Sequence, residues 1–85
     1  MMQITIQQAI NTALECYNAG RLNQAEAICR QIIVQDPNHA DALHMLGLIA
    51  GRAGNHKTAV ELIGRAIQIN PSAAEYQVHL GLSLF

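Results

Sequence analysis

The sequence predicts an all-α fold, a solenoid of antiparallel helix hairpins with five helices. Residues recur at an offset of 34 positions, as in Gly20 and Gly54 or Pro37 and Pro71. These glycines and prolines divide each period into two apolar segments. Within the segments the apolar residues lie three and four apart, which is the spacing of one helix face. A fixed period of this length is typical of stacked repeats rather than of one irregular core.

The recurring breaks predict where each helix ends. Proline cannot continue a helix, and the residue before it leaves helical geometry, so Pro37 and Pro71 each follow a helix end. Glycine is preferred where a helix ends in left-handed geometry, so Gly20 and Gly54 mark the other ends. The predicted helices therefore run from Ile4 to Ala19, Leu22 to Gln35, Ala40 to Ala53, His56 to Ile69 and Ala73 to the end.

Capping residues predict where the helices begin. Ser72, with Glu75 three residues later, has the capping-box pattern, and Asn38 with Asp41 is a weaker version. Two more candidate caps follow the glycines, namely Asn23 and Asn55. The connections between helices are so short that consecutive helices must be antiparallel neighbours.

Composition and charge limit the classes of function. About half of the residues are apolar (51%) and only 13% are charged, so a chain of 85 residues has enough material for a small core. The net charge is -1 and Lys and Arg form no cluster, which argues against nucleic acid or an anionic membrane as partner. No signal peptide or membrane-spanning run is apparent. We therefore expect a cytoplasmic protein.

The middle period resembles the tetratricopeptide repeat, a helix–turn–helix unit of 34 residues. The matching positions are Leu43, Leu46, Gly47, Ala50, Ala59, Ile63 and Pro71. The resemblance implies one array over residues 1–85, with repeat one at 6–39, repeat two at 40–73, and the first helix of a truncated third at 74–85. It also implies that the small residues Ala13 and Gly47 let the helices of a hairpin approach closely, facing Ala25 and Ala59. The sequence of residues 42–50 is similar to bacterial repeats that precede glycosyltransferase domains.

The resemblance also implies an interaction surface, because the first helix of each unit lines a concave groove. The residues carried over are Ile10, Leu14, Tyr17, His44, Met45, Leu48, Arg52, Val78, His79 and Leu82. The Lys, Asn and Arg residues with which some members grip a partner's carboxylate are replaced here, for example by Leu14 and Met45. An apolar helix or extended peptide is the expected partner. The alternative is that Leu14, Leu48 and Leu82 are ordinary packing residues.

Residues with catalytic potential are few and scattered. No two of the four histidines have the three-or-four spacing of a zinc-binding helix; they are His39, His44, His56 and His79. No Ser–His–Asp set or coupled carboxylate pair is indicated, so we expect no catalysis, metal or cofactor in this segment. Cys16 and Cys29 are interpreted as buried thiols, with one disulfide as the alternative.

The array ends on an apolar segment, whereas solenoids normally close with a polar helix. Leu80, Leu84 and Phe85 are therefore predicted to drive association into a homodimer or a larger homo-oligomer. The same feature indicates a fragment of a longer array. The leading functional hypothesis is a scaffold that binds a protein or peptide. The alternatives are the N-terminal recognition segment of an enzyme such as a glycosyltransferase, and a self-assembling platform.

Overall fold

The computed structural model describes residues 5–71, which form four α-helices joined by short turns. The helices are α1 (Ile6–Asn18), α2 (Leu22–Gln35), α3 (Ala40–Arg52) and α4 (His56–Ile69). Each lies within two residues of its predicted bounds, so the all-helical fold and its first four helices are confirmed. The described part therefore contains four helices where five were predicted for the whole chain. The fifth, from Ala73 onward, lies outside the described residues.

Helices α1 and α3 end in the same way, one repeat apart. Gly20 has φ 80° and Gly54 has φ 87°, the left-handed geometry predicted for both. In the first turn, the N–H of Arg21 donates to the carbonyl of Cys16 at 2.8 Å. In the second, the N–H of Asn55 donates to the carbonyl of Ala50 at the same distance. These are the long-range bonds of a Schellman motif, which satisfies carbonyls that the helix end would leave unpaired.

Two of the predicted caps, Asn38 and Asn23, are wrong. Helix α3 is capped by His39, whose Nδ1 accepts the N–H of Ala42 at 3.1 Å, and not by Asn38. Asn38 belongs to the turn instead, where its N–H donates to a carboxylate oxygen of Asp36 at 3.3 Å. Because of this turn the helix begins one residue later than predicted from Asn38, so the side chain of His39 accepts an unpaired N–H of the first helical turn. Thr5 occupies the equivalent place one repeat earlier.

The other three starts also differ from one another. Thr5 caps α1 through a full capping box with Gln8. Asn55 caps α4, as predicted, through the N–H of Thr58. Helix α2 begins after Arg21 without a side-chain cap, and the candidate Asn23 lies inside it.

Close packing within each hairpin depends on small residues, as the resemblance implied. A Cβ added to Gly47 would lie 2.5 Å from Cγ1 of Ile63 and 3.2 Å from the carbonyl oxygen of Ala59. Carbon atoms pack at about 3.5–4.0 Å, so only glycine fits there. In the first hairpin Ala13 takes the equivalent place, and it is fully buried with Ala25 and Cys29.

Helix α3 is the centre of the described structure, because it contacts α1, α2 and α4. Its residues from Ala42 to Gly47 are buried without interruption, and so is Ile49. The core runs from the first hairpin through α3 to α4, where Leu43, Ile63 and Ala66 form a fully buried cluster. No helix in residues 5–71 is long and apolar enough to cross a membrane.

Candidate functional site

Four of the predicted groove residues present side chains at the surface of α1 and α3, and we call them the α1–α3 surface. Leu14 is one of the large apolar residues whose side chains are exposed, at 46%. Tyr17 and Leu48 are half-buried, and Arg52 is exposed. Leu14 and Leu48 are one repeat apart, so the array places the same residue type at the same position of successive first helices.

Arg52 and Tyr17 connect the two helices of this surface. The guanidinium carbon of Arg52 lies 4.6 Å from the centroid of the Tyr17 ring, within the range of a cation–π contact. Nη1 of Arg52 also points to the carbonyl oxygen of Tyr17 at 3.5 Å, a long hydrogen bond. The last turn of α3 is a favourable place for a positive charge because of the helix dipole. Arg52 is therefore held in place while it stays open to solvent.

Three other predicted groove residues are buried. Ile10 packs against Ile32 and Ala42. Met45 belongs to the cluster around Ala13, and His44 is 9% exposed. Their side chains are not available at the surface as a groove requires, because the neighbouring helices cover them.

The remaining predicted residues lie outside the described part of the chain. They are Val78, His79 and Leu82 of the groove set and Leu80, Leu84 and Phe85 of the self-association set. Their roles stay predictions.

Both cysteines are free thiols, but they differ in environment. Cys29 is fully buried, and burial raises the pKa of its thiol to about 11. Cys16 is half-buried, and its Sγ lies 3.8 Å from Oε1 of Gln24. The prediction of a buried thiol is confirmed for Cys29, whereas Cys16 is only partly covered. In residues 5–71 no group of three or more His, Cys, Asp or Glu is placed to hold a metal ion.

Comparison with known families accounts for the repeated geometry. Residues 17–80 match the profile of the family described as Tetratricopeptide repeat. The chain belongs to the tetratricopeptide repeat family. No curated protein matches the chain.

Two solved structures resemble this tetratricopeptide chain over most of its length. A mutant of the O-GlcNAc transferase from Thermobaculum terrenum superposes with a TM-score of 0.86 and 31% identity over 98% of the chain, which spans 17% of that protein. MamA superposes with a TM-score of 0.82 and 22% identity over 93% of the chain, which spans 46% of that protein. At the lower identity the likeness to MamA supports the fold alone.

The tetratricopeptide hairpins also form a cleft that the sequence reasoning missed. It lies between α1 and α2, has a volume of about 210 Å³, and receives no lining residue from α3. We call it the α1–α2 cleft. Half of its lining residues are apolar and half are polar: Ile6, Ala9, Ile28 and Ile32 beside Thr5, Thr12, Gln31 and Gln35.

Proposed function

We propose that this chain is a non-catalytic interaction module that binds a partner helix or peptide through the α1–α3 surface. Tetratricopeptide repeats generally mediate protein–protein interactions. The observation that carries the proposal is the exposure of Leu14 on the first helix of the array, next to the Tyr17–Arg52 contact that links α1 to α3. The Tyr and Arg beside this leucine are residue types that interaction hot spots favour.

The partner that this surface suits has an apolar side chain flanked by an acidic or carbonyl group. Fully burying a leucine side chain stabilises a complex by about 1.5–3 kcal/mol. Leu14 has about half of that still to gain. Within residues 5–71 the Arg52 guanidinium contacts a ring face and makes one long hydrogen bond, which leaves donors for an acceptor on the partner.

The test replaces Leu14 with glutamate and compares partners captured from an extract of the organism's own cells. Leu14→Glu should abolish capture of the specific partner, because a carboxylate would be desolvated in an apolar contact. Val34→Glu is the matched control, since Val34 is 83% exposed on α2 and lies outside the α1–α3 surface. Helical content by circular dichroism must match in all three proteins. If both variants lose the partner equally, or if neither variant loses it, the proposal that this surface binds the partner is refuted.

A second candidate function is substrate recognition within a larger enzyme of the glycosyltransferase kind. It is favoured by the 31% identity to the O-GlcNAc transferase over nearly the whole chain. In that arrangement the α1–α3 surface would select substrate proteins while the chemistry takes place in another domain. The gene sequence that encodes the region after residue 85 tests it directly. A catalytic domain there supports the recognition role, and repeats alone would leave the scaffold role.

We further propose self-association through the apolar end of the array, as a homodimer or an oligomeric platform. Light scattering at micromolar concentration tests it, and a monomeric mass that does not change with concentration would contradict it.

A cytoplasmic location is part of the proposal. It is supported by two free thiols, the state that a reducing compartment maintains.

A further inference from the structure

Four apolar residues of α3 join the second hairpin to the first. All four are buried, and they belong to clusters that α3 shares with α1 and α2: Ala42, Met45, Leu46 and Ile49. We call these residues the docking face of α3. They are the contacts with which one repeat of this chain packs on its predecessor.

The same positions of α1 are polar. One period earlier they are Gln8, Asn11, Thr12 and Glu15, and all four residues are exposed. We call them the outer face of α1. The α1–α2 cleft beside this face is half polar as well. The first hairpin therefore has the fold of a repeat without the apolar residues that dock a repeat on another.

Two side chains of the outer face of α1 already have partners in the first turns of the helix. Oε1 of Gln8 accepts the N–H of Thr5 at 2.9 Å, and Oγ1 of Thr12 donates to the carbonyl oxygen of Gln8 at 3.0 Å. An apolar surface over this face would remove water from the Glu15 carboxylate and offer no hydrogen bond in return, which is unfavourable. The kind of contact that α3 makes one repeat later is thus disfavoured here.

We propose that the outer face of α1 is a closing face of the array, and that copies of this chain associate only through their opposite, apolar ends, as a closed pair. The proposal rests on the self-association proposed above and narrows it. If the apolar end docked on the first hairpin of the next copy, a head-to-tail chain would grow without limit, whereas contact between like ends stops at two copies. Polar terminal faces also keep repeat arrays soluble.

Sedimentation equilibrium of the full chain, under reducing conditions, distinguishes the two arrangements. As the concentration rises through the micromolar range, the mass should approach twice the chain mass and then stay constant. In parallel, the amide NMR signals of the outer face of α1 should keep their positions on dilution, because no second copy covers this face.

A transplant variant places the docking face of α3 on α1. It combines four substitutions, each to the residue found one period later: Gln8→Ala, Asn11→Met, Thr12→Leu and Glu15→Ile. This variant should assemble beyond the pair, with an average mass that rises with concentration. The control variant adds apolar side chains at exposed positions of α2 and α4 and should remain a pair; its substitutions are Asn23→Met, Glu61→Ile and Gln68→Ala.

The possible results refute different claims. A monomeric mass at every concentration would refute the closed pair together with the proposed self-association. For the unmodified chain, a mass that keeps rising, or dilution shifts on the outer face of α1, would refute the closing face while self-association stands. Dilution shifts centred on Leu14 and Leu48 would do the same, because they would place the contact between copies on the α1–α3 surface.

The transplant variant gives an independent result. If its mass equals that of the control variant, with matching helical content, the polarity of the outer face of α1 does not limit assembly and the proposal is refuted. If the transplant variant does not fold, the mass and NMR series on the unmodified chain still decide between a closed pair and a growing chain.

Discussion

Gly47→Ala tests the close packing of the second hairpin, because the sign of its effect depends on Ile63. In an open helix position the change should stabilise the chain by about 1 kcal/mol through helix propensity. At position 47 the new Cβ would lie 2.5 Å from Cγ1 of Ile63. Ile63 is fully buried and β-branched, so its side chain has little freedom to rotate away. Overpacking of this kind costs about 1–3 kcal/mol.

The carbonyl oxygen of Ala59, 3.2 Å from the same Cβ, limits relief by a backbone shift. We therefore place the overpacking cost in the upper half of its range, about 2–3 kcal/mol. After the propensity gain, Gly47→Ala should lower the free energy of unfolding by about 1–2 kcal/mol.

The first hairpin indicates how the clash is avoided. There the alanine is native as Ala13, and the counterpart of Ile63 is the smaller Cys29; both are fully buried. In an Ile63→Cys background, Gly47→Ala should thus become stabilising by about 1 kcal/mol. The coupling energy of the double-mutant cycle is then about 2–3 kcal/mol, at the upper end of values for contacting residues.

The assay is urea unfolding followed by circular dichroism, with the four proteins of the cycle compared at the same concentration. Gly64→Ala is the control glycine, because it lies in α4 and a Cβ there meets no atom of residues 5–71 within 4 Å. That variant should gain about 1 kcal/mol whatever residue stands at position 63. Additive effects of Gly47→Ala and Ile63→Cys, within about 0.5 kcal/mol, would refute the packing argument.

Three further predictions concern local contacts. His39→Ala should lower the free energy of unfolding by about 1 kcal/mol, and His39→Thr should restore it in urea titrations, since Thr5 caps the equivalent position. Burial raises the pKa of the Cys29 thiol from 9.0 to about 11, so its stabilising effect should be complete below pH 9 and decline by up to about 2–3 kcal/mol as the pH approaches 11. A Cys29→Ala variant with the same alkaline decline would contradict this. Arg52→Met should cost about 0.5–1 kcal/mol. The loss should become smaller in a Tyr17→Leu background, which keeps the bond to the backbone carbonyl, and an unchanged loss would rule out the ring contact.

The helix boundaries follow from the sequence because their signals are local. Gly20 and Gly54 adopt positive φ because a residue without Cβ enters the left-handed region at little steric cost. Proline at position 37 excludes continuation of α2 whatever surrounds it. The period of 34 then repeats these signals, so four helices were predictable to within two residues.

The cap of α3 shows where local signals are insufficient. Asn is a better N-cap than His in general, and Asn38 stands directly after the proline. The N–H of Asn38 donates to the Asp36 carboxylate and so belongs to the turn. The cap of α3 is therefore His39, one residue later. The competition between a turn and a cap depends on backbone geometry that composition does not reveal.

The exposure of each groove residue was decided by tertiary structure. Ile10 and Leu14 lie one helical turn apart and have similar hydrophobicity, yet Ile10 is 7% exposed and Leu14 is 46% exposed. The difference arises because α3 and α2 cover one side of α1, and the direction of that cover is set by packing between segments distant in sequence. Local patterns thus determined the helices and their order in this protein. Only the assembled hairpins decided which apolar side chains are core and which remain open to a partner.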